Sequence, residues 1–360
     1  MSVAIALSPT FPTPASALAR AERARDHAPV ALHRFAPEYG CSDDSETLLG
    51  TNCVIIVVPG PHESLALRYE PAEGVDSRDA QVRELIGLHV PNVVARPLRG
   101  DHGGLSVAAD RGARFTCSPW LQGRAWQAGD ANPLSVAAVF HSLATLHKAM
   151  ATAGENPAWP SGRSQQVYWD MADVDAAAVR AATEDLPRSV AGPVASLVQE
   201  ARTARRDLAV EPCHGDAHLG NVLQADTPRF IDFDFTRQEA GGSSLDFGIL
   251  LHRVLHQYVI TSRRRPQEMT ALIDAAATAY AKVRTFEGVR TAFALAALES
   301  VAKRSAIPRL YREGDPDQQY WHEVDERHRG FLVSLTQMAR LVRGEYRIHP
   351  NVEESSATGI

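Results

Sequence analysis

The apolar residues of this chain change period along its length. Leu48 to Val58 is a short β-branched run opening with Gly50-Thr51-Asn52. After the turn Gly60-Pro61-His62 comes Ser64-Leu65-Ala66-Leu67-Arg68-Tyr69. Runs of this kind, bounded by Gly and Pro, predict a strand and its returning partner. Asp76 to Leu88 moves to helical spacing, with Val82, Leu85 and Ile86 on one face. Ala113 to Cys117 predicts another strand. Beyond residue 130 helices dominate. One starts at Asn132-Pro133, and others span Val190 to Leu208, Leu245 to Ile260, Pro266 to Val283, Gly288 to Arg304 and Asp317 to Val342. Thr13-Pro14 predicts a further helix running toward His27.

A single hairpin interrupts the helical half. Asn221 to Gln224 and Arg229 to Phe235 read as strands around the turn Ala225-Asp226-Thr227-Pro228. A four-residue loop pairs Gln224 with Arg229 and sets Asn221 opposite Asp232, with Cβ atoms roughly 5 Å apart. Strand alternation then sends Ile231, Phe233 and Phe235 into a core and puts Asp232 and Asp234 on the polar face. Just upstream lies His214-Gly215-Asp216-Ala217-His218-Leu219-Gly220, where two glycines permit a tight loop. Oxygen donors from Asn221 and Asp232 suit Mg2+, a hard cation that keeps a substrate phosphate in its shell. Asp216 is left to act on a substrate hydroxyl, as phosphoryl transfer requires.

The segment His214-Gly215-Asp216, Asn221, Ile231-Asp232-Phe233 resembles the catalytic loop and metal-binding strand of the aminoglycoside phosphotransferase and choline kinase family. The resemblance implies an α+β, bilobal, protein-kinase-like fold with a small antiparallel-sheet N-lobe and a mostly helical C-lobe. It implies Asp216 as catalytic base, Asn221 and Asp232 as Mg2+ ligands, and His214, Asp234 and Asp246 as supporting residues. Such an enzyme uses ATP or GTP as co-substrate and needs a cation for its phosphates. The chain has only three lysines, Lys148, Lys282 and Lys303, none in the first hundred residues. Arg68 is therefore expected in that role, paired with Glu84; arginine keeps the charge and changes the geometry. Gly50, Thr51 and Asn52 fall where a phosphate-covering turn belongs. Trp120 and Leu121, in Ser118 to Gly123, fall where a linker meets adenine. The expected division is an N-terminal helical extension (1–29), an N-lobe (30–117), a linker (118–123), a C-lobe (124–350) and a fraying tail (351–360).

Composition narrows the function. The length, 360 residues, suits two lobes around a cleft, and an apolar share of 44% supports packed cores. A net charge of −6 argues against nucleic acid as the main partner. Cys41, Cys53, Cys117 and Cys213 lack CxxC spacing and suggest reduced thiols in a cytoplasmic protein. The apolar run at Met1 to Leu7 is too short for a signal peptide, and no stretch approaches a membrane span. The expected partner is a small-molecule hydroxyl acceptor, and the expected assembly a monomer or homodimer. The expected acceptor is an antibiotic, aminoglycoside-like or other, which makes this a resistance enzyme; the alternative is a sugar or amino alcohol, which makes it a metabolic kinase.

The same residues admit other readings. His214 with His218 and His252 with His256 have a zinc-like i, i+4 spacing, but the first pair sits in a glycine-bearing loop. Asp232-Phe233-Asp234 matches an Asp-x-Asp metal motif of glycosyltransferases, which leaves the His-Gly-Asp loop unexplained. Ser243 and Asp246 fit a helix capping box. The acidic run from Glu313 to Glu326 reads as a solvated surface. A kinase-like scaffold that binds without turnover is the alternative of another class.

Overall fold

A computed structural model describes residues 15–42, 44–49, 53–70, 78–109, 112–160, 169–233, 235–262, 266–310 and 317–342. Gly50, Thr51, Asn52, Asp234, Glu313, Asp315 and the tail 351–360 lie outside the described residues.

The first half builds an antiparallel sheet. Its strands are β1 (Glu46–Leu49), β2 (Val54–Val58), β3 (Leu65–Glu70), β4 (Val107–Ala108) and β5 (Arg114–Pro119), in the order β1-β2-β3-β5-β4. The run read as one strand from Leu48 to Val58 is two, with Leu49 paired to Val54. Helix α1 (Ala15–Phe35) covers one face of this sheet. Its buried residues Ala17, Ala21, Ala24, Ala28, Ala31, Leu32 and Phe35 recur every three or four positions, forming a small-residue stripe. The stripe carries the helix through Pro29 and past His27, where the sequence had suggested its end. Helix α2 (Arg78–Gly87) follows β3, but Val82 and Ile86 belong to the larger core of the second half.

That second half is chiefly helical. Its helices are α3 (Pro133–Gly154), α4 (Ala176–Ala181), α5 (Arg188–Ala204), α6 (Gly242–Ser262), α7 (Pro266–Ala281), α8 (Val289–Ala306) and α9 (Gln318–Val342). Asn132 caps α3 by accepting from the Leu134 and Ser135 amides, with Pro133 at the first helical position. Helix α8 lies between α6, α5 and α9, and nearly all of its side chains are buried. Gly248 fixes the α6–α8 approach, since a Cβ there would stand 2.0 Å from the Ala292 carbonyl oxygen.

Two small sheets carry the loops between these helices. Strand β6 (Arg124–Ala125) pairs with β8 (Val222–Gln224), which pairs with β9 (Arg229–Phe230); β7 (Val210–Cys213) pairs with β10 (Arg237–Ala240). The β8–β9 register is shifted from the expected one: Val222 faces Phe230 and Leu223 faces Arg229. Asn221 accordingly receives the Ile231 amide on its carbonyl at 3.1 Å, and Asp232 lies one residue beyond. The regular alternation to Phe235 also fails. Asp232 has φ of 62°, the one described non-glycine residue in the left-handed region. Such a residue ends a strand, and Asp or Asn adopts it at least cost among side-chain-bearing residues. This positioning sets Asp232 beside Asn221 by a turn instead of a ladder.

Candidate active site

The loop after β7 turns on Gly215, whose φ of 80° and close approach to Phe235 exclude a side chain. Asp246, in the first turns of α6, holds that loop from beneath. Its two oxygens accept the amides of His214 (2.6 Å) and Gly215 (2.9 Å), and His147 Nε2 donates to it at 2.9 Å. Burial alone would raise this carboxyl; the His147 bond and charge, His214 and the Gly215 amide override it and hold it low. Asp246 is therefore a loop brace and makes no capping box with Ser243. The α6 terminus is capped by Glu211, which accepts from the Ser243 amide at 2.8 Å and from its hydroxyl.

His214 is fully buried and joins the loop to the following strand, its Nε2 donating to the Ile231 carbonyl at 3.1 Å. Its ring packs on Phe233 at 4.7 Å. Asp216 keeps 18% of its side chain exposed and is gripped on both oxygens. Lys303 Nζ lies 3.2 Å from Oδ1 and His218 Nε2 3.3 Å from Oδ2. His218 accepts the Gly220 amide on Nδ1, which puts its proton on Nε2, facing Asp216. Burial would push Asp216 up, but Lys303 and then His218 hold it well below the usual carboxylate range. It is an ionised acceptor at neutral pH.

Asn221 donates its side-chain N–H to the Asp216 carbonyl at 3.0 Å, which makes Oδ1 its available donor atom toward a cation. Asp232 contributes a carboxylate 35% exposed. The pair offers the oxygen chemistry Mg2+ prefers, with room for phosphate oxygens in its shell. No group of three His, Cys, Asp or Glu residues suited to a metal occurs among the described residues. His252 and His256 instead share the Ser334 hydroxyl, at 2.8 and 2.9 Å.

Arg68 reaches this site from β3, with Nη1 3.3 Å from Asp232 Oδ1 and Nε 3.0 Å from Glu70. Its expected partner is wrong. Glu84 binds Arg96 and Arg99, each at 3.0 Å, on the outer side of α2. The inward carboxylate of α2 is Asp79, which accepts the Phe233 amide at 2.9 Å and pairs with Arg83 at 2.7 Å. Burial would raise Asp79; Arg83 and then Arg68 outweigh it and lower its pKa. Helical geometry explains the error. Glu84 lies about 200° around the helix from Val82, whereas Asp79 precedes Val82 by three residues and shares its face. The linker offers less to adenine than expected: the Trp120 amide donates to the Ser64 carbonyl at 2.7 Å and is not on offer to a purine. Leu121 is half-buried beside it.

Sequence reasoning missed Lys303 as a partner of Asp216, and Glu299 and Trp169 as the groups around Lys303. Lys303 Nζ stands 4.3 Å over the Trp169 ring and 3.4 Å from Glu299. The signal was available as an i, i+4 Glu–Lys pair on an otherwise apolar, alanine-rich helix.

The phosphotransferase enzyme family matches residues 76–286, more than half of the chain, and the match includes Asp79, Asp216, Asn221, Asp232 and Asp246. The chain belongs to that family. No curated protein matches it. Solved structures share the phosphotransferase fold at low identity. An amicoumacin kinase in complex with AMP-PNP, Ca2+ and Ami is 13% identical, with a TM-score of 0.59 over 85% of this chain and 93% of the other. A microcompartment-associated aminopropanol kinase is 13% identical, with a TM-score of 0.57 over 86% and 96%. A GDP complex of aminoglycoside 2'-phosphotransferase-IIIa is 15% identical, with a TM-score of 0.54 over 87% and 98%. The four cysteines are free thiols, and no described helix is long and apolar enough to cross a membrane.

Proposed function

We propose that this phosphotransferase moves the γ-phosphoryl group of ATP or GTP to a hydroxyl of a small molecule in the cytoplasm. The observation that carries the reading is Asp216: an ionised carboxylate, partly open to solvent, beside Asn221 and within one loop of Asp232. Asp216 orients the acceptor hydroxyl. Its low basicity fits a late proton transfer, because a loose phosphoryl-transfer transition state needs little push from the base. Asn221 and Asp232 would hold Mg2+, which neutralises phosphate charge when bound. Arg68, braced by Glu70, grips phosphate oxygens as a planar fork. The division into lobes around 118–123 belongs to the same proposal and is supported by the separate sheet and helical cores.

The test is Asp216→Asn, assayed for nucleotide binding by calorimetry and for ADP release with an acceptor panel. Retained binding with turnover lower by 100-fold or more is expected. Near-normal turnover overturns the assignment. Two acceptor classes follow from the sequence, an antibiotic or a metabolic sugar or amino alcohol. Growth of a sensitive host on an antibiotic panel, with and without the gene, separates them.

A further inference from the structure

The groups behind Asp216 are unusual in sign. Three helices converge there: α6 brings His252, Arg253 and His256, α8 brings Glu299 and Lys303, and α9 brings Arg327, His328 and Phe331. Lys303 is shared between Asp216 and Glu299. Arg237 reaches the same Glu299 oxygen at 3.7 Å. Arg253 forms no ion pair with any described carboxylate. It lies flat over the Phe331 ring, 3.0 Å from its centroid, with Nη1 3.2 Å from His252 Nδ1. A half-buried guanidinium supported by a ring and an imidazole keeps an unmet demand for an anion. His328, 7% exposed, also leaves Nδ1 buried without a hydrogen-bond partner.

The electrostatics agree with the geometry. Burial depresses the Arg253 pKa to about 9, although Glu299 and Asp216 pull it upward. Burial, then Lys303 and Arg253, drives His328 well below its ordinary value, so it is neutral at pH 7. Burial also lifts the Glu299 carboxyl in spite of Lys303 and Arg237.

We propose that the acceptor carries an anionic group, a carboxylate or a phosphate ester, next to its reacting hydroxyl, and that Arg253 and Lys303 receive that group. The proposal rests on the phosphotransferase reading above and adds the charge of the substrate. Lys303 then has two duties, setting the ionisation of Asp216 and meeting the acceptor. Arg253 forms no hydrogen bond or ion pair with Asp216 or the nucleotide-side residues and serves the acceptor.

The experiment uses the full chain with Mg-ATP and four acceptor pools: hydroxycarboxylates, sugar phosphates, neutral polyols, and aminoglycosides. ADP release is the first readout, and ATP binding by calorimetry, without acceptor, is the control for the underlying reading. Stimulation by either anionic pool supports the proposal, and the responding pool decides between carboxylate and phosphate. For the active acceptor, Arg253→Met should raise KM at least tenfold with kcat and the KM for ATP little changed. Arg253→Lys should recover part of that loss and shows that the site still folds. Stimulation by neutral polyols or aminoglycosides alone overturns the proposal while leaving the phosphotransferase reading intact. So does ATP binding with no response to either anionic pool. Absence of ATP binding overturns both.

Discussion

Asp246→Asn is the most exacting substitution this site offers, because it changes charge and one hydrogen-bonding pole without changing shape. The native carboxylate is fully buried and accepts three N–H groups, from His147, His214 and Gly215. An amide has one acceptor oxygen. Placed with that oxygen toward His147 and His214, its nitrogen confronts the Gly215 N–H. One buried donor is then orphaned, at about 1–3 kcal/mol. The two surviving bonds lose their ionic character and weaken by roughly half. Relief of the buried charge offsets part of this, leaving an expected loss of about 2–4 kcal/mol in urea unfolding. Placed the other way, two donors are orphaned and the loss is larger. The Gly215 amide is one peptide from Asp216, so kcat should fall by more than the unfolded fraction explains. Both are measured on one preparation, by urea titration of tryptophan fluorescence and by ADP release. An Asn variant within about 0.5 kcal/mol of the parent and with unaltered kcat would refute the claim that Asp246 supports the loop through these bonds.

Other outcomes follow from the same geometry. Lys303→Met removes the main charge that holds Asp216 low, so the acid limb of the kcat profile should move upward in pH; an unmoved limb excludes Lys303 as its cause. Asp232→Asn should fold nearly as well as the parent and lose Mg-nucleotide affinity. Asp232→Val should also lose about 1–3 kcal/mol, because a β-branched residue resists φ near 62°; equal melts for the two variants count against backbone strain there. Glu84→Gln should leave nucleotide affinity unchanged, whereas Asp79→Asn should weaken it by freeing Phe233 and Arg83; the reverse order in a calorimetric titration restores the Glu84 pairing. Acidification should destabilise the fold in two stages. The imidazoles of His252, His256 and His328 are depressed by burial, that of His256 to about 4, so the unfolded chain binds protons first as pH falls below about 6.5. Asp79, Asp216 and Asp246 are depressed carboxylates whose contribution is present above about 3.8 and lost as pH falls further. A flat stability curve between pH 7 and 4.5 contradicts the first stage.

The sequence was legible where local chemistry decides structure. Helix starts such as Asn132-Pro133, the β2–β3 return and the loop glycines announce themselves through caps, turn residues and period. The closeness of Asn221 to Asp216 and of Asn221 to the start of the following strand was legible too, but through the wrong device. A hairpin register follows from pairing alone only while both strands stay regular, and Asp232 leaves the β region. Glu84 was the wrong partner for Arg68 because α2 carries acidic residues on two sides, and only packing shows that Asp79 is the one turned inward. The Glu299–Lys303 pair was legible as a pair, but its place beside Asp216 and Arg253 was not: the loop, α6 and α8 come from different parts of the chain, and only their packing brings these charges together.

The contact at Gly248 has a bearing on how this enzyme can change its substrate. Helix α6 carries Asp246 below the glycine and Arg253 above it, and it cannot separate from α8 while Gly248 abuts Ala292. With Arg253 receiving the acceptor as proposed, loop support and acceptor recognition are two ends of one clamped rod. Mutations that reshape the acceptor pocket by tilting α6 would disturb Asp216 at the same time, so selection for new substrates is channelled away from that helix. Helix α9 contributes His328 and Phe331 but none of the bonds that hold the loop, so specificity can drift there at a smaller catalytic cost. Directed evolution begun from random libraries should therefore collect its productive changes on α9 and few within α6.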